Sequence, residues 1–172
     1  YYSEGLTLAK LGRYEEAVWA YEQALRVDPE NAELYNSKGV SLAKLRRHEE
    51  ALKAYEQTVR LQSTHSTAYY NQGLALANLG RYEEAVGAFD QALRLNPDHV
   101  QAFYNKGLAL TKLERYDAAI ECYEQALRID PTYTDAYHWK GIVLTNLERY
   151  EEALHAYDCL LYTSDAADDL TR

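Results

Sequence analysis

The 172-residue chain carries 18 basic against 27 acidic side chains, a formal charge of -9, and is 47% hydrophobic and 26% charged. These values lie in the globular range and exclude wholesale disorder and collagen-like architecture. The acidic balance makes a phosphate backbone an unfavourable partner and no apolar run approaches a bilayer-spanning length, so neither nucleic acid nor membrane is expected as a partner.

The sequence contains no methionine, so the expectation is a fragment of a longer, metagenomically read frame. Its localisation stays open, with the cytoplasm favoured. Cys122 and Cys159 are too few for a disulfide framework or a thiolate metal site. Seventeen tyrosines against two tryptophans and two phenylalanines suggest one local pattern copied several times.

A 34-residue period confirms the copying: Gly5, Gly39, Gly73, Gly107 and Gly141 keep one phase, as do Leu11, Leu45, Leu79, Leu113 and Leu147. Arg13, Arg47, Arg81, Arg115 and Arg149 form a third register, and Tyr21, Tyr55, Phe89, Tyr123 and Tyr157 a fourth. In chain order the units are a partial one at 1–31, complete ones at 32–65, 66–99 and 100–133, and a partial one at 134–158. Each predicts two short helices. In the third unit a first helix covers Ala68 to Leu79, and Tyr82, Ala85, Val86, Phe89, Ala92, Leu93 and Leu95 recur at three- and four-residue spacing in a second. Leu79-Gly80-Arg81-Tyr82 reads as the turn between them, and Asn96-Pro97 ends the second helix. Interior glycine costs about 1 kcal/mol of helix propensity, so a glycine kept in register five times implies a packing need.

The charges follow the same register. Glu15-Glu16, Glu49-Glu50, Glu83-Glu84 and Glu151-Glu152 fall in the first turn of a second helix, where negative charge meets the positive end of the dipole. Arg26, Arg60, Arg94 and Arg128 each follow an acid by four residues, a spacing that suits helical ion pairs. The second unit diverges most, with His48 for the turn tyrosine, Thr58 for a small alanine and Ser63 for the terminating proline, and it is expected to be the weakest link.

Gly73, Leu79-Gly80-Arg81-Tyr82, Glu83-Glu84-Ala85, Phe89, Ala92-Leu93 and Asn96-Pro97 resemble the tetratricopeptide repeat, over Tyr1 to about Asp158. The resemblance implies an all-α fold, an α-solenoid of antiparallel helical hairpins in a right-handed superhelix, with a concave groove lined by the first helix of each unit. The residue before the register glycine is often apolar in that family; here it is Glu4, Lys38, Gln72, Lys106 or Lys140, which suggests a wetter face.

After Asp158 the pattern stops. Cys159-Leu160-Leu161-Tyr162-Thr163-Ser164-Asp165-Ala166-Ala167-Asp168-Asp169 is similar to the translation of a transposase-based sequencing-library adapter, and Arg172 fits its continuation. Residues 159–172 are therefore expected to be a non-native tail, preferred over a capping helix.

No catalytic constellation or phosphate loop emerges, so the chain is read as no enzyme, with no cofactor and no metal site. His65 and His99 share a loop register without ligand-spaced companions. Cys122 sits in the register of Ala20, Ala54 and Ala88 and reads as small and buried. By resemblance the groove would be lined by Tyr2, Asn36, Tyr70, Tyr104 and His138, by Ser37, Asn71, Asn105 and Trp139, and by Lys10, Lys44, Asn78, Lys112 and Asn146 towards the helix ends. Asparagine amides donate to and accept from a peptide backbone at once, and the aromatics supply broad amphipathic contact. Packing between hairpins is the competing role for the tyrosines. The chaperone-binding subtype uses Lys and Arg with Asn to hold a terminal carboxylate, and the first of these registers lacks cations. The function expected is a protein- or peptide-binding scaffold, with the recognition arm of a larger enzyme, such as a glycosyltransferase or signalling protein, as the alternative. Self-association through uncapped end hairpins is a further expectation.

Overall fold

A computed structural model describes the backbone of residues 1–169 and side chains through residue 160. The expected tail at 159–172 thus lies partly outside the described residues. Among the described residues ten helices alternate with short turns: α1 Tyr2–Lys10, α2 Tyr14–Val27, α3 Ala32–Lys44, α4 His48–Leu61, α5 Ser66–Asn78, α6 Tyr82–Leu95, α7 Val100–Lys112, α8 Tyr116–Ile129, α9 Thr134–Asn146 and α10 Tyr150–Asp169. The fold class is an all-α solenoid of helical hairpins. The chain divides into two compact units, Tyr1–Asn96 and Pro97–Arg172.

In the first unit α1/α2, α3/α4 and α5/α6 pair as hairpins, α2 packs on α3 and α4 on α5, and successive first helices touch. The second unit repeats this with α7/α8 and α9/α10, α8 packing on α9. What sets the spacing within each hairpin is one contact. A Cβ placed on Gly5, Gly39, Gly73, Gly107 or Gly141 would lie 2.5–2.6 Å from a ring carbon of Tyr21, Tyr55, Phe89, Tyr123 or Tyr157, respectively. Real Cβ atoms essentially never come that close, so the ring sixteen residues onward occupies the space that any other side chain would need. The packing need behind the register glycine is an aromatic ring seated on it.

The hairpin turns close as Schellman motifs. After α1, the Gly12 N–H donates to Ala9 O at 3.0 Å and the Arg13 N–H to Leu8 O at 2.9 Å, with Gly12 at φ 75°. Gly80 repeats this φ, but Arg46, Glu114 and Glu148 occupy the same left-handed position at φ 58–61°. A side chain there costs roughly 1–2 kcal/mol, and nothing lies within 4 Å of where a Cβ would stand on Gly12 or Gly80, so space does not compensate. Glu114→Gly is expected to raise stability by about 1 kcal/mol, read as a higher urea midpoint; an unchanged or lowered midpoint would count against this strain.

The second helices end without depending on proline. The N–H groups of Asp28, Gln62, Asn96 and Asp130 each donate to the carbonyl four residues back, and α4 stops at Leu61 although Ser63 replaces proline. Thr58, fully buried, is accommodated because its Oγ1 donates to Ala54 O at 3.1 Å and reaches Ala32 O at 3.4 Å. At His48, Nδ1 is buried with no hydrogen-bond partner, a cost the tyrosines of this register do not carry.

Charge placement differs from the helical-pair expectation. Glu22 meets Lys38 of the next hairpin at 2.7 Å, and Glu124 meets Lys140 at 2.7 Å. The lysine before the register glycine is thus a tie between hairpins. The arginine register also has a defined job. Arg13, Arg47, Arg81 and Arg149 each donate through Nε and Nη2 to the two oxygens of Glu16, Glu50, Glu84 and Glu152, at 2.5–2.7 Å. These forks hold the four carboxylates below the usual range and raise the guanidinium pKa values further. They are solvent-exposed, so their worth is small. In the fourth repeat Ala118 stands where that glutamate would be.

Candidate functional site: the face of the first helices

The first helices bury one side against their own second helix and leave the other open. In the first unit two adjoining cavities open on that side. One, of about 310 Å³, lies between α1 and α3 and is lined by Leu6, Lys10, Tyr14, Asn36, Val40 and Lys44, among others. The next, of about 270 Å³, lies between α3 and α5; Val40 and Lys44 recur there with His48, Tyr55, Asn71, Leu74 and Asn78. Leu6 and Val40 remain 37% and 38% exposed, so the floor is apolar and open to water.

Of the residues singled out in sequence, Asn36 and Asn71 come together: Asn71 Nδ2 donates to Asn36 Oδ1 at 3.4 Å, and each lines one of the two cavities. Both are half-buried. Asn105 Nδ2 donates to Gln101 O one turn back on α7, at 2.8 Å. Tyr70 lies against the Phe89 ring of its own hairpin, 6.0 Å between centroids.

In the second unit Tyr104 collects the other candidates. Its ring is 6.2 Å from Tyr123 and 5.3 Å, edge-on, from Tyr133. Burial, reinforced by the charge of Asp135, pushes the Tyr104 phenol pKa up, and a hydrogen bond from the Trp139 indole N–H opposes this. His138 is exposed, with its ring 6.2 Å from Trp139. Tyr104, His138 and Trp139 therefore form one neighbourhood. Tyr123 itself is fully buried, its hydroxyl 3.0 Å from Thr111 Oγ1, and burial drives its phenol pKa upward.

The lining the sequence reading missed is aliphatic. Leu6, Val40 and Leu74 form the floor, and their signal was present: an aliphatic residue follows every register glycine. His65, by contrast, is structural. Its Nδ1 accepts from the Ala68 N–H at 3.2 Å, which fixes the Nε2–H tautomer that donates to Glu33 at 3.1 Å, tying α5 to α3. Cys122 is buried. Among the described residues no group of three or more His, Cys, Asp or Glu could hold a metal ion, and no helix is long and apolar enough to cross a membrane.

No curated protein matches the chain in sequence. Solved structures do. One described as the crystal structure of MamA superposes with a TM-score of 0.94 at 26% identity, covering 96% of each chain. MamA from residue 41 onward from Desulfovibrio magneticus RS-1 gives 0.91 at 21% identity, covering 95% of this chain and 93% of that one. YrrB, described as a TPR protein with an unusual peptide-binding site, gives 0.82 at 23% identity, covering 92% and 82%. Tetratricopeptide repeat models match residues 2–66 and 70–134, and a second such model matches 122–155. Those spans take in the five register glycines and the rings of Tyr21, Tyr55, Phe89 and Tyr123 seated on four of them, and the chain belongs to the tetratricopeptide repeat family.

Proposed function

We propose that this chain is a non-catalytic scaffold whose first-helix face binds an extended segment of a partner protein. The observation that carries the reading is the Asn36–Asn71 pair, two amides placed beside two open, apolar-floored cavities. A peptide unit offers one donor and one acceptor, and a paired amide can exchange its weak 3.4 Å contact for both. The aliphatic floor would take alternate side chains, which an extended chain turns to one side. Family membership and the peptide-binding description of YrrB support the same reading. In the second unit Tyr104, His138 and Trp139 would add aromatic contact surface, the residue class that dominates binding energy at interfaces. We read residues 1–158 as the repeat array, with 159–172 as the non-native tail.

The test is capture of a random peptide pool on immobilised chain, compared with Asn36→Ala combined with Asn71→Ala. Losing two hydrogen bonds of about 1 kcal/mol each is expected to lower capture by roughly tenfold or more. Unchanged capture would remove the asparagines from the mechanism.

A further inference from the structure

On a chain of net charge -9, the two cavities of the first unit are lined by no carboxylate at all, yet by Lys10 and Lys44. Six other cations are paired with carboxylates: Lys38 with Glu22, Lys140 with Glu124, and Arg13, Arg47, Arg81 and Arg149 with the glutamate three residues on. Lys10 and Lys44 are exposed and meet no carboxylate among the described residues. Lys44 borders both cavities and Lys10 borders the first, so two uncommitted ammonium groups flank one apolar floor of Leu6 and Val40.

We infer that this face selects acidic partner segments, in which aspartate or glutamate side chains alternate with apolar ones. The inference rests on the peptide-binding reading above and names its ligand class. The apolar residues of such a segment would occupy the floor, and its carboxylates would reach Lys10 and Lys44. The anionic remainder of the surface would repel the same ligand elsewhere, so charge complementarity acts as register and discrimination more than as raw affinity. Lys10 and Lys44 stand towards the helix ends, apart from the first groove register whose lack of cations argues against terminal-carboxylate capture. The recognition is therefore of side-chain carboxylates within a segment.

The experiment is selection from a random peptide pool on the full chain, with the bound peptides sequenced, and parallel selections on Lys10→Gln/Lys44→Gln and on Lys53→Gln. Lys53 lines a different cavity, with Tyr35, Glu50 and Gln57, and serves as the control for removing a lysine charge elsewhere on the surface. The expected result is Asp and Glu enrichment on the parent and on Lys53→Gln, lost on the double variant. An acidic peptide drawn from the pool should bind the double variant about tenfold more weakly, as two exposed ion pairs of up to about 1 kcal/mol each allow. Its affinity for the parent should fall as salt is raised. Peptides captured without acidic enrichment, or enrichment that survives the double substitution, would overturn the acidic selectivity while leaving peptide binding in place. Capture of no peptide by the parent would overturn both.

Discussion

Gly73→Val is expected to cost at least about 3 kcal/mol and to move the urea midpoint accordingly, because the first added carbon already lies 2.6 Å from Phe89 Cε1. Phe89 is 0% exposed and cannot swing aside. Gly73→Ala sets two effects against each other. The substitution gains up to about 1 kcal/mol of helix propensity, while forcing a methyl into a filled site costs about 1–3 kcal/mol, so the net is a loss. Gly87 provides the contrast within the same hairpin. It lies on exposed helical surface of α6 with nothing within 4 Å of a Cβ, so Gly87→Ala is expected to stabilise by about 1 kcal/mol. The same chemical change thus has opposite signs at Gly73 and Gly87. Circular dichroism in urea reads both, and a Gly73→Val chain as stable as the parent would refute the ring-on-glycine contact as the determinant of hairpin spacing.

Phe89→Ala is expected to cost about 3–5 kcal/mol, the range for emptying a fully buried aromatic site. It should be more severe than Phe89→Leu, which leaves apolar volume in place. The two predictions are coupled. In a Phe89→Leu background, Gly73→Ala should cost less than it does in the parent, because the leucine vacates part of the space the methyl needs. The double-mutant cycle should give an interaction term of about 0.5–3 kcal/mol. Additivity within error would show that the glycine and the ring do not act on one another.

The hairpin order was legible because two signals with independent causes agreed: helical spacing of apolar residues, and a glycine and leucine recurring at one phase. Gly73 announced a packing need in sequence, but its partner did not. The structure puts the Phe89 ring against Gly73. A contact sixteen residues away obeys no helical spacing rule and is fixed only once the hairpin closes. Lys38 and Lys140 were read as stems over a wetter face for the same reason, since their glutamates lie on the preceding hairpin. The Arg13–Glu16 fork has a local spacing and could have been read, yet the dipole explanation of Glu15-Glu16 hid it. On the candidate face, Asn36 and Asn71 came from resemblance, and their hydrogen bond depends on how α3 meets α5. Leu6, Val40 and Leu74 were overlooked because a recurring aliphatic residue beside a packing glycine looks like core, whereas here it floors an open cavity.

Site-specific photocrosslinking tests most directly whether the first-helix face is where a partner binds. A benzophenone side chain is placed at Val40, which borders both cavities, and in a second chain at Gly87, exposed on α6 and bordering a different cavity with Tyr69, Gln72 and Glu84. Each is irradiated with a random peptide pool and the adducts are located by mass spectrometry. The account predicts peptide adducts at Val40 and none above background at Gly87; adducts at Gly87 with none at Val40 would contradict it.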